Sequence, residues 1–320
     1  MMFLYQSNRI FIWGLSHQLG KLRRDLDGLS AAGLLSNPVD QLAKIGYQHN
    51  FAVGPDEDLF TLAVPPMTYA LARCSNPRAV VFHHSYAENT CVPWETAESD
   101  LLSRARYFPA AVLKQFNLNH LPYFGSFASG CTGFLSLLVT AGGLLGFSAE
   151  SPVICLTADV RPKGVRYDAL REKILTSDCA SGFIAGRELR GYQVLGINYY
   201  STTRTLIPLV EIVKRTVQMI REMAKALGID LAAGNVVVHY PNIFPEAWNM
   251  VTHYLKIPPE RHILDGLAER AHCLSSDSVI SLAKWHHDDA GRLHIVVNFG
   301  SGLHLGVCIL KEEKDHVPDV

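Results

Sequence analysis

Net charge, patterned cysteine and unbroken apolar runs are all scarce in this 320-residue sequence. Lysine and arginine number 29 against 30 acidic residues, for a formal net charge of -1. Such a balance carries no electrostatic footprint for nucleic acid and no polybasic membrane tail. The seven cysteines (74, 91, 131, 155, 179, 273, 308) are dispersed without a C-x-x-C pair. A disulfide framework and a structural zinc site are therefore not expected, and the scattered thiols suit a reducing cytoplasm. Met1–Arg9 has no apolar core of the kind a signal peptide needs. The longest apolar run, Leu135–Phe147, holds Ser136, Thr140 and three glycines, and reads as too short and too interrupted to span a bilayer. No linker or low-complexity tract divides the chain. His286-His287-Asp288-Asp289 has metal-ligand residue types but reads as an exposed turn ahead of Gly291, so no metal and no resident cofactor are expected.

What is present alternates between two periods. Short β-rich runs (Arg9–Trp13, Ala79–His83, Pro152–Thr157, Gly182–Ala185, Val194–Tyr199, Asn235–His239, His294–Phe299, Gly306–Leu310) lie among helical patterns, which signals an α/β fold. Continuous apolar runs such as Val236-Val237-Val238 suit strands covered on both faces. The clearest helix is Leu209–Leu227, with Val213, Val217, Ile220, Ala224 and Leu227 on one stripe and Gly228 as its stop. Val80-Val81-Phe82-His83-His84 is echoed by Val236-Val237-Val238-His239-Tyr240, and Pro152–Leu156 by His294–Asn298. Two similar halves are expected, 1–189 and 190–320.

Cys131 is the leading candidate for chemistry. It ends the small-residue run Gly125–Gly130, and Thr132, Gly133 and an apolar helix follow. Small neighbours let backbone and substrate approach closely, and a helix N-terminus favours the reactive thiolate. A nucleophilic cysteine needs a base and donors for an oxyanion. His239, at the end of a buried strand and followed by Tyr240-Pro241-Asn242, is the preferred base. The turn Asn298–Gly306 can present N–H donors, although its spacing is wrong for a dinucleotide or phosphate loop.

Taken in order, these elements resemble the thiolase superfamily, specifically its ketoacyl-synthase-III-like condensing enzymes and acyltransferases. The matching pieces are Cys131 before a buried helix, His239 with Asn242 in a His-x-x-Asn strand end, and the Phe299–Gly302 turn. Lys44–His49 and Leu156–Val160 agree with further family segments. The resemblance implies a five-layered αβαβα fold, a homodimer or a heterodimer with a sister subunit, and ping-pong chemistry through an acyl-Cys131 thioester. The donor would be a coenzyme A or acyl-carrier-protein thioester, and the N–H groups of Cys131 and Ser301 would form the oxyanion hole.

The departures shape the reading. The family's Gly-Asn-Thr-Ser segment corresponds here to Ala271–Ser278, which puts Cys273 at the asparagine position and His272 beside it. A thiol is a weak donor, so decarboxylative condensation is in question. His272 would supply the missing group if the segment shifts by one residue, and Asp277 is a candidate partner for His239. The family's coenzyme A clamp finds no match, which leaves the basic loop Arg161–Arg166, with Arg161 and Arg166 as candidate carrier contacts. Together these features point to a specialised pathway such as secondary metabolism, with C–C condensation and O- or N-acyl transfer both open. Two other readings stand beside it. One is an α/β-hydrolase with a cysteine nucleophile and a C-terminal histidine, His294 or His304. The other is a partner subunit of a heterodimeric condensing enzyme.

Overall fold

The computed structural model describes residues 1–5, 8–74, 76–91, 107–147, 151–204, 207–286, 290–300 and 304–314. The strands are β1 (Met2–Leu4), β2 (Ile10–Leu19), β3 (Leu22–Asp25), β4 (His49–Ala52), β5 (Ala79–His83), β6 (Tyr123–Ser126), β7 (Val153–Asp159), β8 (Asp168–Ala169), β9 (Ile174–Leu175), β10 (Cys179–Gly186), β11 (Tyr192–Ser201), β12 (Val236–His239), β13 (His262–Ile263), β14 (Leu293–Gly300) and β15 (His304–Glu312). Among the described residues the main sheet runs β13-β12-β14-β15-β11-β2-β10-β7-β5-β6, with β1 against β11.

The order contains the same five-strand pattern twice. In one set β5 lies parallel between β6 and β7, and β10 and then β2 continue antiparallel. In the other, β12 lies parallel between β13 and β14, followed by antiparallel β15 and β11. The echoed sequences are therefore β5 with β12, and β7 with β14, at matching places. The sets meet where Tyr192, Gln193 and Val194 of β11 pair with Ile12, Phe11 and Ile10 of β2. Because β1 pairs with β11, the first residues of the chain belong with the second set. The division we propose at 189/190 falls in the connection between β10 and β11.

Side-chain alternation builds five layers. Val81, Cys155 and Val296 point into a central core with Phe134, Leu138 and Leu145. Val80, Phe82, Ile154 and Leu156 face an outer layer with Met67 and Val112. Ile295, Val297, Val307 and Ile309 face the opposite outer layer with Ile220, Met223 and Trp248. Strands covered on both faces must be apolar on both, which is why β5 and β7 are buried throughout. The amphipathic helix Leu209–Leu227 has the predicted bounds and covers one outer face.

The central helix Gly133–Phe147 is apolar nearly all round because it lies between the two half-sheets. With the turn before it, Gly130–Phe147 spans 18 residues, enough by length and composition to cross a membrane. The expectation that this run is too short is corrected, but Phe134, Leu135, Leu137, Leu138 and Ala141 are packed into protein core. Packing against both half-sheets accounts for the apolar residues on its buried face.

Candidate active site

Cys131 lies in a single 3-10 turn, Gly130–Thr132, that leads directly into the central helix. Gly130 takes a left-handed conformation (φ 50°) that lets the chain turn there. A neutral histidine holds the turn in place. His83, at the end of β5, donates from Nε2 to the Gly130 carbonyl (2.8 Å), so its Nδ1 accepts from the Ser126 hydroxyl (2.9 Å). Burial pushes its pKa down to about 4, which keeps it uncharged. The ring fits only because residue 133 lacks a side chain, since a Cβ there would stand 1.9 Å from His83 Cδ2. Gly133→Ala should therefore lower stability by about 2 kcal/mol or more through overpacking. The check is a shifted denaturant midpoint with loss of Cys131 reactivity.

The imidazole beside Cys131 belongs to His272, not to His239. Backbone pairing fixes it, because His272 N–H donates to the Leu175 carbonyl (2.9 Å) and Ser177 N–H donates to the His272 carbonyl (3.0 Å). Non-glycine residues with positive φ, Ala271 (52°) and Leu274 (53°), flank the segment. Strained backbone of this kind collects at functional sites. His272 Nδ1 donates to Asp277 Oδ2 at 2.5 Å, which turns the other ring nitrogen toward the Cys131 thiol. Burial opposes charge on the ring, but the Asp277 carboxylate and then the Cys131 sulfur outweigh it and push the pKa up to about 10. The resting ring is thus an imidazolium beside the sulfur.

Asp277 begins the helix Asp277–Lys284 and is itself saturated. Oδ1 accepts from Arg270 Nη1 (2.5 Å), Cys273 N–H (3.1 Å) and Asn242 Nδ2 (3.2 Å), and Oδ2 also accepts from Asn242 N–H (3.0 Å). Burial would raise its pKa, yet His272 and Arg270 hold it well below the usual carboxylate range. The half-buried Cys131 and the buried His272, Asp277 and Arg270 thus follow one another in line.

The cavity in front of Cys131 has a volume of about 220 Å³. Ile174, Ile243, Leu274 and Phe299 give it an apolar wall, and Ser85, Tyr86, Thr176 and His272 a polar one. Val165 and Arg166 are exposed residues of its lining. At the end of β14, a Cβ on Gly300 would lie 3.3 Å from the Cys131 nitrogen, so that strand end runs against the Cys131 turn. Ser301, the expected second oxyanion donor, lies outside the described residues, as do His287, Asp288 and Asp289.

Several sequence expectations are redistributed. Both nitrogens of His239 are occupied in a separate buried chain, Nδ1 with Ser281 Oγ (2.8 Å) and Nε2 with His294 Nδ1 (2.9 Å). His294 Nε2 in turn meets Glu312 Oε2 at 3.1 Å. Burial, then the neighbouring His294, depresses the pKa of His239 well below the ordinary value. It is not part of the cavity lining, and Asp277 pairs with His272 rather than with it. Cys273 is fully buried beside Cys179 and does not reach the cavity. Asn242 is spent on Asp277 and the Ala271 carbonyl, so it positions the relay. Arg161 stacks over the Tyr167 ring at 4.5 Å, which leaves Arg166 as the one of the two at the cavity. The histidines required by the hydrolase reading are engaged elsewhere, His294 with His239 and His304 Nδ1 with Ser201 Oγ (2.8 Å). Ser85, Tyr86 and Thr176 were not singled out from sequence. The signal that finds the first two is their place just past the carboxyl end of a parallel strand, β5.

No protein-family profile and no curated protein matches the chain. Solved structures do match over nearly its whole length. The 3-oxoacyl-[acyl-carrier-protein] synthase III of Aquifex aeolicus VF5 is similar at 15% identity, covering 94% of this chain and 99% of that one (TM-score 0.74). The acyltransferase ChlB3 is similar at 16% identity, covering 96% and 98% (TM-score 0.74). A single-substitution variant of OleA from Xanthomonas campestris is similar at 13% identity, covering 96% and 99% (TM-score 0.72). With the doubled five-strand pattern and the five layers, these likenesses establish that the chain has the thiolase-type fold of the synthase III structures.

Proposed function

We propose that the protein is an acyltransferase that works through an acyl-Cys131 thioester, with His272 as acid and base and Asp277 as its orienting anion. The observation that carries the reading is the contact of Cys131 with a buried, charged His272–Asp277 pair at a small cavity. In the first half-reaction the Cys131 sulfur attacks the carbonyl of a carrier thioester. The new C–S bond forms to Cys131, the donor C–S bond breaks, and the departing thiolate takes the proton from imidazolium His272. His272 is then neutral, and is a base for the second substrate. Collapse of the second tetrahedral intermediate returns the anionic sulfur, and the proton rests on His272 again.

The Cys131 N–H at the first helical turn, where such groups lack intrahelical partners, is the oxyanion donor supported by the fold. A cavity of about 220 Å³ is below the usual range for drug-sized ligands and suits a short acyl group. Arg166 would meet the carrier's phosphates. Cys273, which the resemblance puts at the family's asparagine position, is buried away from the cavity while a histidine backed by an aspartate lines it, and this favours a specialised role over housekeeping fatty-acid initiation.

We also propose that two copies associate along β6, the end strand of the sheet among the described residues. Its Tyr123 and Phe124 are 39% and 41% exposed, with Phe127 53% exposed beside it. An unpaired, aromatic edge is covered in stable proteins.

Acetyl and other short acyl thioesters of coenzyme A, incubated with the protein and followed by intact mass, test the reading. An acyl adduct that maps to Cys131 and is absent in Cys131→Ala is the expected result. Rapid release of free acid with no adduct would favour a hydrolase. No reaction in a folded protein would favour a partner-subunit role.

A further inference from the structure

Tyr86 is pinned at the cavity through its backbone. Its segment leaves the carboxyl end of β5, between β6 and β7. Asp159, the last residue of β7, accepts at Oδ1 from the Ser85 N–H (2.7 Å), the Tyr86 N–H (3.1 Å) and Asn89 Nδ2 (3.3 Å). His84 donates from its N–H to the Ser126 carbonyl (3.1 Å) and from Nδ1 to the Ala158 carbonyl (2.6 Å). Asn89 N–H returns to the Tyr86 carbonyl (3.1 Å). Both neighbouring strands thus fix the chain at Tyr86, and its side chain lines the same cavity as Cys131 and His272.

The phenol stays protonated. Burial pushes its pKa up, Thr176 opposes the rise, and negative charge on Cys131, Asp159 and Asp178 adds to it. The Cys131 sulfur is within electrostatic reach of the phenol, which meets it as a neutral group able to donate. Other donors at the cavity are spent. The single hydrogen of Thr176 is committed to the Tyr167 carbonyl, 2.7 Å from Oγ1, because a carbonyl can only accept. The free N–H of His272 is turned toward the sulfur and protonates the departing thiol. Cys273, at the family's asparagine position, is enclosed beside Cys179.

We infer that Tyr86 is a catalytic residue whose phenol O–H holds the oxyanion together with the Cys131 N–H. This rests on the acyl-enzyme reading above. As the sulfur adds to the thioester carbonyl, the C=O π electrons move onto oxygen. That oxygen sits on the carbon bonded to the sulfur, inside the cavity that Tyr86 lines. The phenol donates a hydrogen bond to it and keeps its own proton. When the C=O bond re-forms and the donor thiolate leaves, the hydrogen bond weakens again, so no atom or charge passes to Tyr86. The second tetrahedral intermediate is held in the same way. His272 moves the proton and Tyr86 holds the charge. One preorganised donor of this kind contributes about 10²–10³-fold to the rate.

Tyr86→Phe removes the hydroxyl and keeps the ring. The single-turnover rate of Cys131 acetylation by acetyl-coenzyme A, followed by intact mass, should fall about tenfold or more. Alkylation of Cys131 by iodoacetamide should stay within about twofold of wild type, because displacement at a methylene carbon forms no oxyanion. An equal fall in both rates would make Tyr86 a support for the thiolate, and acetylation at the wild-type rate would leave it no part in the reaction. Either result overturns the inference. Absence of acetylation in the wild type would instead overturn the acyl-transfer reading, and the donor is then read on an acyl-enzyme made chemically. Cys131 is acetylated with p-nitrophenyl acetate labelled at its carbonyl carbon, and the infrared spectrum of identically treated Cys131→Ala is subtracted. A hydrogen bond weakens a carbonyl, so the thioester C=O band should lie at lower frequency in wild type than in Tyr86→Phe. Equal frequencies would overturn the inference.

Discussion

Replacing His272 with alanine should reduce kcat/KM for thioester-dependent acyl transfer by about 10³-fold or more. The imidazolium is asked to do three jobs: hold the anionic form of the Cys131 sulfur, protonate the departing thiol, and deprotonate the acceptor. General acid–base groups contribute about 10²–10⁴-fold, and loss of one member of a coupled nucleophile relay removes most of what the set provides. The same substitution at His239 should leave kcat/KM within about threefold. That ring is fully enclosed, and both nitrogens are satisfied by Ser281 and His294. Its loss should appear as stability instead, about 1–3 kcal/mol for stranding buried polar partners. Steady-state rates and denaturant midpoints on the two variants separate a catalytic histidine from a structural one.

The second large effect is expected at Asp277. Asp277→Asn keeps the shape and removes the charge, which leaves the Arg270 guanidinium buried with only the longer contact to Asp265 (3.7 Å). Breaking a buried pair from one side costs about 3–5 kcal/mol. The pH dependence follows from the two shifts. The folded pKa of Asp277 is depressed, so its contribution is present above the unfolded carboxylate value of about 4 and is lost as the pH falls. The pKa of His272 is raised to about 10 in the folded protein, so its contribution is full below about pH 6.5 and is lost as the pH rises toward 10. Unfolding free energy should therefore peak between about pH 4 and 6.5 with respect to this pair and decline on both sides. Chemical denaturation across that range should show both limbs in the wild type and neither limb at full size in Asp277→Asn. A wild-type stability that is flat from about pH 6.5 to 10 would contradict the charge state assigned to His272.

The fold was legible because its strands are buried on both faces and read as short continuous apolar runs. β5 was expected with its observed bounds, and β7, β12 and β14 within two residues at either end. The Cys131 turn was legible because the left-handed Gly130 and the missing side chain at Gly133 leave a local trace. The histidine beside it was legible only as one of two candidates, since His272 was expected there on a one-residue shift while His239 was the preferred base. Which residue of Ala271-His272-Cys273 faces Cys131 depends on a one-residue register, and that register is set by the long-range bridge between Thr176 and His272 and by the left-handed backbone at Ala271. Neither is written in the local sequence. His239 misled for a related reason. A histidine ending a buried strand looks the same whether it opens on a cavity or, as here, on His294 and Glu312 from distant strands.

The pairing of Cys131 with His272 is tested most directly by a reaction that needs no knowledge of the substrate. The rate of Cys131 carbamidomethylation by iodoacetamide at neutral pH is followed by peptide mass in wild type, His272→Ala and His239→Ala. An imidazolium beside the sulfur favours the reactive anion. The rate should fall at least tenfold in His272→Ala and stay within about twofold of wild type in His239→Ala. A thiol that keeps its reactivity without His272, or loses it without His239, would contradict the site described here.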